Sequence, residues 1–432
     1  MENLITGIVA LIVLLALIFQ GVPIGISFAV VGVAGIMLMR GPEVGLYSLG
    51  SIPFTWASAQ MILPVPLFVL MGYLAFYAGI SRDLFVTGHR WMGKYAGGLA
   101  MGTMVACAGF AACCGAAPAA AATMGAIAYP EMAKRGYHNR LATGCLAAGA
   151  GVSILIPPSV PMIIYGSLSQ TSVGHLFIAG VLPGLILTGA YVLTIYVLCR
   201  RNPNIGPPSE SFTLRERLAS LKGVWGMLLL FALVIGGLFV GAFTPTEAGA
   251  IGAFGAFLIG LARRRLSLAN LLAAAKETVR VTGFVVTLII GAQIFNTFLD
   301  LCRFTSGLST WISSLGVSPY VILGFVLIIY LLLGMFLDIM AIILLTIPTL
   351  APIMSALGFD LIWFGVIVVL LAMTGFLTPP IGMNAFVVQG VTKVPLEEIF
   401  RGVTPFVVVT IAIIVLLIIL PQIVLLLPSI AK

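Results

Sequence analysis

The sequence predicts an all-α polytopic membrane protein built as an inverted-topology repeat, with two re-entrant hairpins and two helices broken at Pro-Pro. Three observations carry this: an extreme apolar composition, one fixed self-similarity offset, and the one-sided distribution of basic residues. Of the 432 residues 61% are hydrophobic and 8% charged, with mean hydropathy +1.20. Soluble domains sit near about 45–50% apolar and about 25% charged. Many segments reach the ~20 apolar residues that cross a bilayer as helix. A β-barrel would alternate apolar and polar residues with period two, which these segments do not. The net charge of +8 lies between the apolar spans, so it concerns membrane topology and argues against nucleic acid as a partner.

The repeat has an offset of 222 residues. Pro23 falls on Pro245. Pro130, Met132 and Gly136 of "YPEMAKRGY" fall on Pro352, Met354 and Gly358 of "APIMSALGF". Pro157-Pro158 fall on Pro379-Pro380, and Gly180, Val181 and Pro183 fall on Gly402, Val403 and Pro405. No gap is needed between Pro23 and Pro183, and coincident prolines are much rarer than coincident apolar residues.

Each half then reads in one order. The first repeat is 1–200, with scaffold spans in 1–80 (about 4–20, 23–39 and 60–80) and a hairpin-and-break part in 97–175. The second is 223–432, with scaffold spans in 223–300 (about 225–241, 246–262 and 281–299) and a hairpin-and-break part in 317–395. Within each such part a Gly/Ala-rich stretch (about 97–129 and 319–351) precedes the Pro-Pro span (about 140–170 and 361–392). A last span closes each half (about 176–199 and 404–430). "RRNPNIGPPSESFTLRERLASLKG" joins the halves as a solvated linker over 201–222, with room for a short amphipathic helix. The N-terminal "MENLITGIVALIVLLALIFQ" reads as a first span, because it lacks a basic leader region.

If the Gly/Ala-rich stretch enters and leaves on one side, each half crosses five times and the second half is inverted. With the N- and C-termini outside, eighteen of the twenty-one Lys and Arg residues fall inside, leaving Arg40, Arg303 and Lys432 outside. A full crossing by that stretch would disperse these clusters. The linker 201–222 is then cytoplasmic.

Proline removes a backbone donor and clashes with the preceding turn, so each Pro-Pro ends a helix in mid-span. Broken backbone at that depth is tolerated where it lines a protein-enclosed cavity, and half-helix ends there face ions and substrates. "GVSILIPPS" offers Ser153, Ser159 and freed carbonyls, and "TGFLTPPIGMN" offers Thr374, Thr378 and Asn384. These hard neutral oxygens suit Na⁺ better than a transition metal. Glycines at 149, 151, 375 and 382 permit close backbone approach.

Asp338 in "LLLGMFLDIMAI" is isolated within apolar sequence. Support of a cation site and a structural role at a helix end stand as equal readings. In "FTPTEAGA", Thr244 as N-cap, Pro245 at N1 and Glu247 at N3 form a capping box. The charged clusters at 82–94, 134–140 and 200–222 read as solvated loop ends, and His89, His138 and His175 as solvated surface groups. Trp56, Trp91, Trp225, Trp311 and Trp363 suit an interfacial belt. The six cysteines have neither metal-site nor disulfide spacing.

"LIPPSVPMIIYGSLSQTSVGHLFIAGVLPG", "GAFTPTEAGAIGA", "LLLGMFLDIMAIILLTIPTLAPIM" and "GFLTPPIGMNAFVVQGVTKVPLEEIFRGVTPF" resemble the large membrane subunit of tripartite ATP-independent periplasmic (TRAP) transporters, over essentially the whole chain. The resemblance implies Na⁺-driven, elevator-type uptake of an organic anion, a carboxylate or a sulfonate, across a bacterial inner membrane. It implies two partners: a small four-span membrane subunit and a soluble periplasmic binding protein. It implies no cofactor besides Na⁺ as coupling ion, and no enzymatic activity. Carried onto this chain, the sodium residues are Cys114, Gly115, Ser153, Ile154, Pro157, Asp338, Gly375, Thr378 and Pro379. The substrate residues are Pro158, Ser159, Pro380, Gly382 and Asn384. The first hairpin tip departs from the family's Ser-Gly-Ser pattern, reading "AACCGAAPAAAATMG". Fewer hydroxyls there mean that the first cation site leans more on backbone carbonyls.

Three rival readings stand beside this one, a channel among them, for which the residues show no ring-forming filter motif or charged pore helix. A stand-alone Na⁺/dicarboxylate symporter would share the hairpin architecture. An integral-membrane enzyme would need converging acid–base groups, which the isolated Asp338 does not provide.

Overall fold

The computed structural model describes residues 2–115 and 117–431, and the side chains of Glu2, Asn3 and Cys114 fall outside the description. Among the described residues there are twenty α-helices, two 3₁₀ turns and no strand. The first repeat contains α1 (Glu2–Phe19), α2 (Ile24–Arg40), α3 (Pro42–Ala57), α4 (Pro64–Tyr77) and α5 (Ile80–Met92). It continues through α6 (Gly98–Cys114), α7 (Ala117–Lys134), α8 (Asn139–Val152), α9 (Val160–Ser169) and α10 (Val173–Arg201). The second contains α11 (Leu214–Phe239), α12 (Pro245–Ala262), α13 (Leu268–Leu301) and α14 (Phe304–Ser314). Then come α15 (Pro319–Phe336), α16 (Ile339–Ala356), α17 (Leu361–Gly375), α18 (Met383–Thr392), α19 (Leu396–Ile419) and α20 (Gln422–Ile430). Helices α7 and α16 start and stop 222 residues apart, so the offset in the prolines is an offset in structure.

Helices α6 and α7 form one hairpin, turning at Gly115 with φ +61°. Helices α15 and α16 form the other, turning at Leu337-Asp338. Packing between the halves is exchanged: α7 lies on α18, and α16 on α9. This exchange brings both hairpin tips and both helix breaks to one centre.

A second set of helices forms the scaffold. Its closest pair is α2 and α13, in contact through glycines. A Cβ on Gly32 would stand 2.7 Å from the backbone nitrogen of Phe295. Close backbone approach at small residues is the usual way membrane helices gain van der Waals contact without a hydrophobic driving force. Helix α12 packs along α4, and α13 also lies on α4. Large apolar side chains such as Leu38, Phe54, Phe254, Phe325 and Ile419 face outward, as a lipid-covered surface requires.

The two halves differ where prolines differ. The first reaches α4 through α3 and a 3₁₀ turn at Gln60–Ile62, whereas the second runs through the same register as the unbroken 34-residue α13. Pro64 and Pro66 correspond to Val286 and Leu288, so only the first half loses the donors. The converse holds at the C-terminal end, where Pro421 separates α19 from α20 while α10 is continuous. Pro421 would have supplied the donor for the Leu417 carbonyl, and the Trp363 indole nitrogen donates to it instead at 2.9 Å. Trp363 is therefore buried and is not in the belt expected from sequence. Trp91, Trp225 and Trp311 are exposed, as a belt demands.

The basic segments gather at one end. Arg263 and Arg265 both pair with Asp83, at 2.6 and 3.4 Å. The Gly97 amide donates to Gly206 and the His138 amide to Ile205. The linker is consequently a bonded strap, not a free tether. From Leu214 onward it is already helix: α11 begins there under a Thr213–Glu216 capping box. The 82–94 cluster is the amphipathic helix α5, not a loop end. His89 on α5 is half-buried and bonds Ser209 Oγ at 2.9 Å through Nε2, which corrects its reading as a solvated group. His138 is exposed and caps α8.

Candidate functional site

Both Pro-Pro peptides interrupt the helix in mid-span, and both are cis. In the first break the prolines remove the donors that the carbonyls of Ser153 and Ile154 would meet at i+4. The Ser153 hydroxyl donates back to Ala150 at 2.6 Å, so the lone pairs of its oxygen stay available. Ser159 caps α9, accepting from the Met162 amide at 3.4 Å. Residues 151–160 are all buried, Pro157 and Pro158 included. The tip of the first hairpin meets this break directly. A Cβ on Gly115 would stand 2.7 Å from the Pro158 carbonyl oxygen, which only glycine tolerates at that positive φ.

The second break is more nearly self-satisfied. The Gly375 carbonyl accepts from the Thr378 amide at 3.0 Å and from its hydroxyl at 2.9 Å. The Phe376 carbonyl accepts from the Asn384 amide at 3.4 Å. Gly375 packs on Gly334 of the second hairpin, whose own Cβ would be 2.9 Å from the Gly375 Cα. Gly382 is buried with φ +55° and precedes α18. Pro379 and Pro380, unlike their mates, are exposed.

Asn384 ties the breaks together. Its Nδ2 donates to the Ala147 carbonyl at 3.2 Å, across from α8 of the first repeat. Its buried Oδ1 has no hydrogen-bond partner among the described residues. A buried amide oxygen without a partner is costly, and an oxygen of this type can accept from a donor or coordinate a hard cation.

Asp338 caps α16: a side-chain oxygen accepts the Met340 amide at 2.9 Å. It also lines a cavity of about 370 Å³ with Gly115 and Ile154. The helix-end reading is thus observed, and the cavity position keeps the other reading open. The cavity lies between scaffold helices α4 and α13, both hairpin tips and the two breaks, the last represented by Ile154, Pro161 and Phe376.

Of the residues selected from sequence, Gly115, Ile154 and Asp338 meet at this cavity, with Pro158 against Gly115. Ser153, Pro157 and Ser159 lie buried in the first break. Gly375, Thr378, Pro379, Pro380, Gly382 and Asn384 form the second break and are not part of the cavity wall. The Cys114 side chain lies outside the described residues. Sequence reasoning missed the scaffold wall, Tyr73, Phe76 and Phe284, and also Thr123 of the hairpin. No motif marks them, because ordinary apolar spans hold them. Gln293 and Asn296, a polar pair one turn apart in α13, are a signal that was legible and unused.

The fold and this centre define a multi-pass helical membrane transporter subunit of the inverted-repeat kind. The family described as "Tripartite ATP-independent periplasmic transporter, DctM component" matches residues 11–423. The sialic acid TRAP transporter large permease protein SiaM of Vibrio cholerae is 35% identical, over 96% of this chain and 96% of that protein. The C4-dicarboxylate TRAP large permease DctM of Pseudomonas aeruginosa is 35% identical, over 91% of this chain and 92% of that protein. The isethionate TRAP permease DctMQ of Oleidesulfovibrio alaskensis is 30% identical, over 93% of this chain and 63% of that protein. In fold, the chain matches the Alcanivorax borkumensis YdaH transporter with TM-score 0.65 at 14% identity, covering 91% of this chain and 89% of that one. This chain belongs to the DctM family: it is a TRAP transporter large permease.

Proposed function

We propose that this permease takes up a small organic anion across a bacterial inner membrane by a Na⁺-coupled elevator mechanism. It receives the anion from a periplasmic binding protein and works beside a small four-span subunit. The observation that carries the reading is the meeting of two hairpin tips and two interrupted helices, one pair from each repeat, at a cavity against a separate scaffold. Carbonyls at the first break without helical donors, the Ser153 and Thr378 oxygens, the Asn384 Oδ1 and the Asp338 carboxylate supply oxygen ligands of the hardness Na⁺ takes. Sodium there neutralises the unwound backbone and attracts the anion.

The positive-inside rule makes the end carrying Arg263, Arg265 and the linker cytoplasmic. Away from that end, α16 packs on scaffold helix α13, and α9 on α4 and the 3₁₀ turn at Gln60–Ile62. The cavity instead uses the parts of α4 and α13 nearer the basic end, Phe76 and Val281 among them. We therefore assign this conformation to the inward-facing state. The relatives named for sialic acid, C4-dicarboxylates and isethionate support an organic anion as cargo. They are permease subunits, which supports transport over the enzyme reading. The test is uptake in proteoliposomes containing the permease, the small subunit and the cognate binding protein. Uptake driven by an inward Na⁺ gradient and abolished without it is expected. Equal uptake without sodium overturns the coupling, and full uptake without the binding protein favours the stand-alone symporter.

A further inference from the structure

The cavity that this reading makes the cargo site has a chemistry that narrows the cargo. Its wall carries Tyr73, Phe76 and Phe284 from the scaffold and Phe110, Met340 and Phe376 from the mobile side. Among the described residues that line it, only Tyr73, Thr123 and Asp338 have polar side-chain groups. Lys, Arg and His do not occur among those described residues, and the one group of theirs that is ionised near neutral pH is an acid. A second carboxylate on the cargo would face aromatic faces and Asp338 with no cation opposite it. A polyhydroxylated body would bring many hydroxyls to a wall with few partners, and each buried hydroxyl left unpaired weakens binding. An apolar body gains from the same wall by contact and by release of water. One acid group can be accommodated at the first turn of α7, which lines the cavity at Ala117 and Ala119 and carries the positive end of that helix dipole. A volume of about 370 Å³ is at the small end of ligand sites.

We infer that the cargo is an organic monoanion with an apolar, ring-sized or branched body, not a dicarboxylate or a polyhydroxylated acid. The inference rests on the reading of this cavity as the cargo site. Phe284 is the residue to alter. It is 52% exposed at the rim, so its removal leaves scaffold packing in place, and Phe325, 65% exposed on the outer face of α15, is the matched control.

The complex of permease and small subunit is titrated with phenylpyruvate, succinate and N-acetylneuraminate in saturating Na⁺, following intrinsic fluorescence and thermal protection. The expected order places phenylpyruvate about tenfold or more tighter than the other two. Phe284→Ala weakens phenylpyruvate by about tenfold and leaves succinate unchanged, while Phe325→Ala changes neither. Tighter binding of succinate or N-acetylneuraminate, or indifference of phenylpyruvate to Phe284→Ala, overturns the inference. Either result leaves Na⁺-coupled anion uptake standing. Absence of binding by all three probes overturns the inference together with the cargo-site reading.

Discussion

Asn296 of the scaffold donates its Nδ2 to the carbonyl of Leu344 in the second hairpin, at 3.4 Å. That carbonyl is free because its helical donor would be the amide of residue 348, which is proline. The bond thus crosses from scaffold to hairpin and repairs a defect in α16. It is also incomplete, for the buried Asn296 Oδ1 and the nearby Gln293 Nε2 have no partner among the described residues.

A double-mutant cycle measures this bond. Asn296→Ala strands the Leu344 carbonyl and is expected to cost about 1–3 kcal/mol of thermal stability. In a Pro348→Ala background the helix supplies its own donor, and the same substitution should cost about 1 kcal/mol less. Equal costs in both backgrounds would mean that the bond contributes nothing.

Glycine packing makes a paired prediction. Gly32→Ala places a methyl 2.7 Å from the Phe295 nitrogen and 2.8 Å from the Ile294 carbonyl carbon. Backbone cannot yield as a side chain does, so a loss of about 1–3 kcal/mol is expected. Gly50→Ala in α3 meets nothing within 4 Å and should be neutral or stabilising by about 0.5–1 kcal/mol. Thermal unfolding of the two variants in one detergent decides it.

Asp338→Asn separates the two roles of that residue. Asparagine caps a helix as well as aspartate does, so the hairpin should fold with thermal stability within about 0.5 kcal/mol of the parent. If the carboxylate supports a cation, the Na⁺ concentration for half-maximal uptake rises by about tenfold, equivalent to about 1.4 kcal/mol. An unchanged sodium dependence would reduce Asp338 to a helix cap.

The strap over the basic end should respond to pH. Burial, then Arg135, with a smaller contribution from Arg90, holds the His89 imidazole below its ordinary value of 6.5, against the opposing pull of Glu210 and Glu131. The folded state thus favours the neutral ring. Its stabilising share is complete above pH 6.5, declines as the pH falls below that value, and is gone below the folded pKa. Protection factors of the amides in residues 202–212, which remove the base-catalysed pH dependence of chemical exchange, should fall on acidification through that window, and His89→Gln should flatten the response. Protection factors independent of pH in the parent would exclude this switch.

Sequence reading reached far because its strongest signals are backbone signals. Proline acts locally, so the offset of 222 residues, both breaks and both hairpins could be placed from the chain alone. The Thr244–Glu247 capping box was legible for the same reason and is observed, the Thr244 amide donating to Glu247 at 2.8 Å. Relations between segments remote in sequence were not legible. Trp363 reads as a belt residue and is in fact the donor for a carbonyl 54 positions away. His89 reads as solvated and is held by a linker serine 120 positions away. Asn384 was selected for its type, but its orphaned oxygen follows from Ala147 occupying the other end of its amide.

By itself, then, the sequence determined the membrane class, the repeat, the places where helices must stop and the family. These depend on hydropathy, missing donors and charge order, all of which act over a few residues. Tertiary structure alone decided which hairpin meets which break, that the cavity wall is aromatic, and which polar atoms remain unpaired. Those outcomes depend on packing across hundreds of residues, where a side chain's role is set by the neighbour it finds.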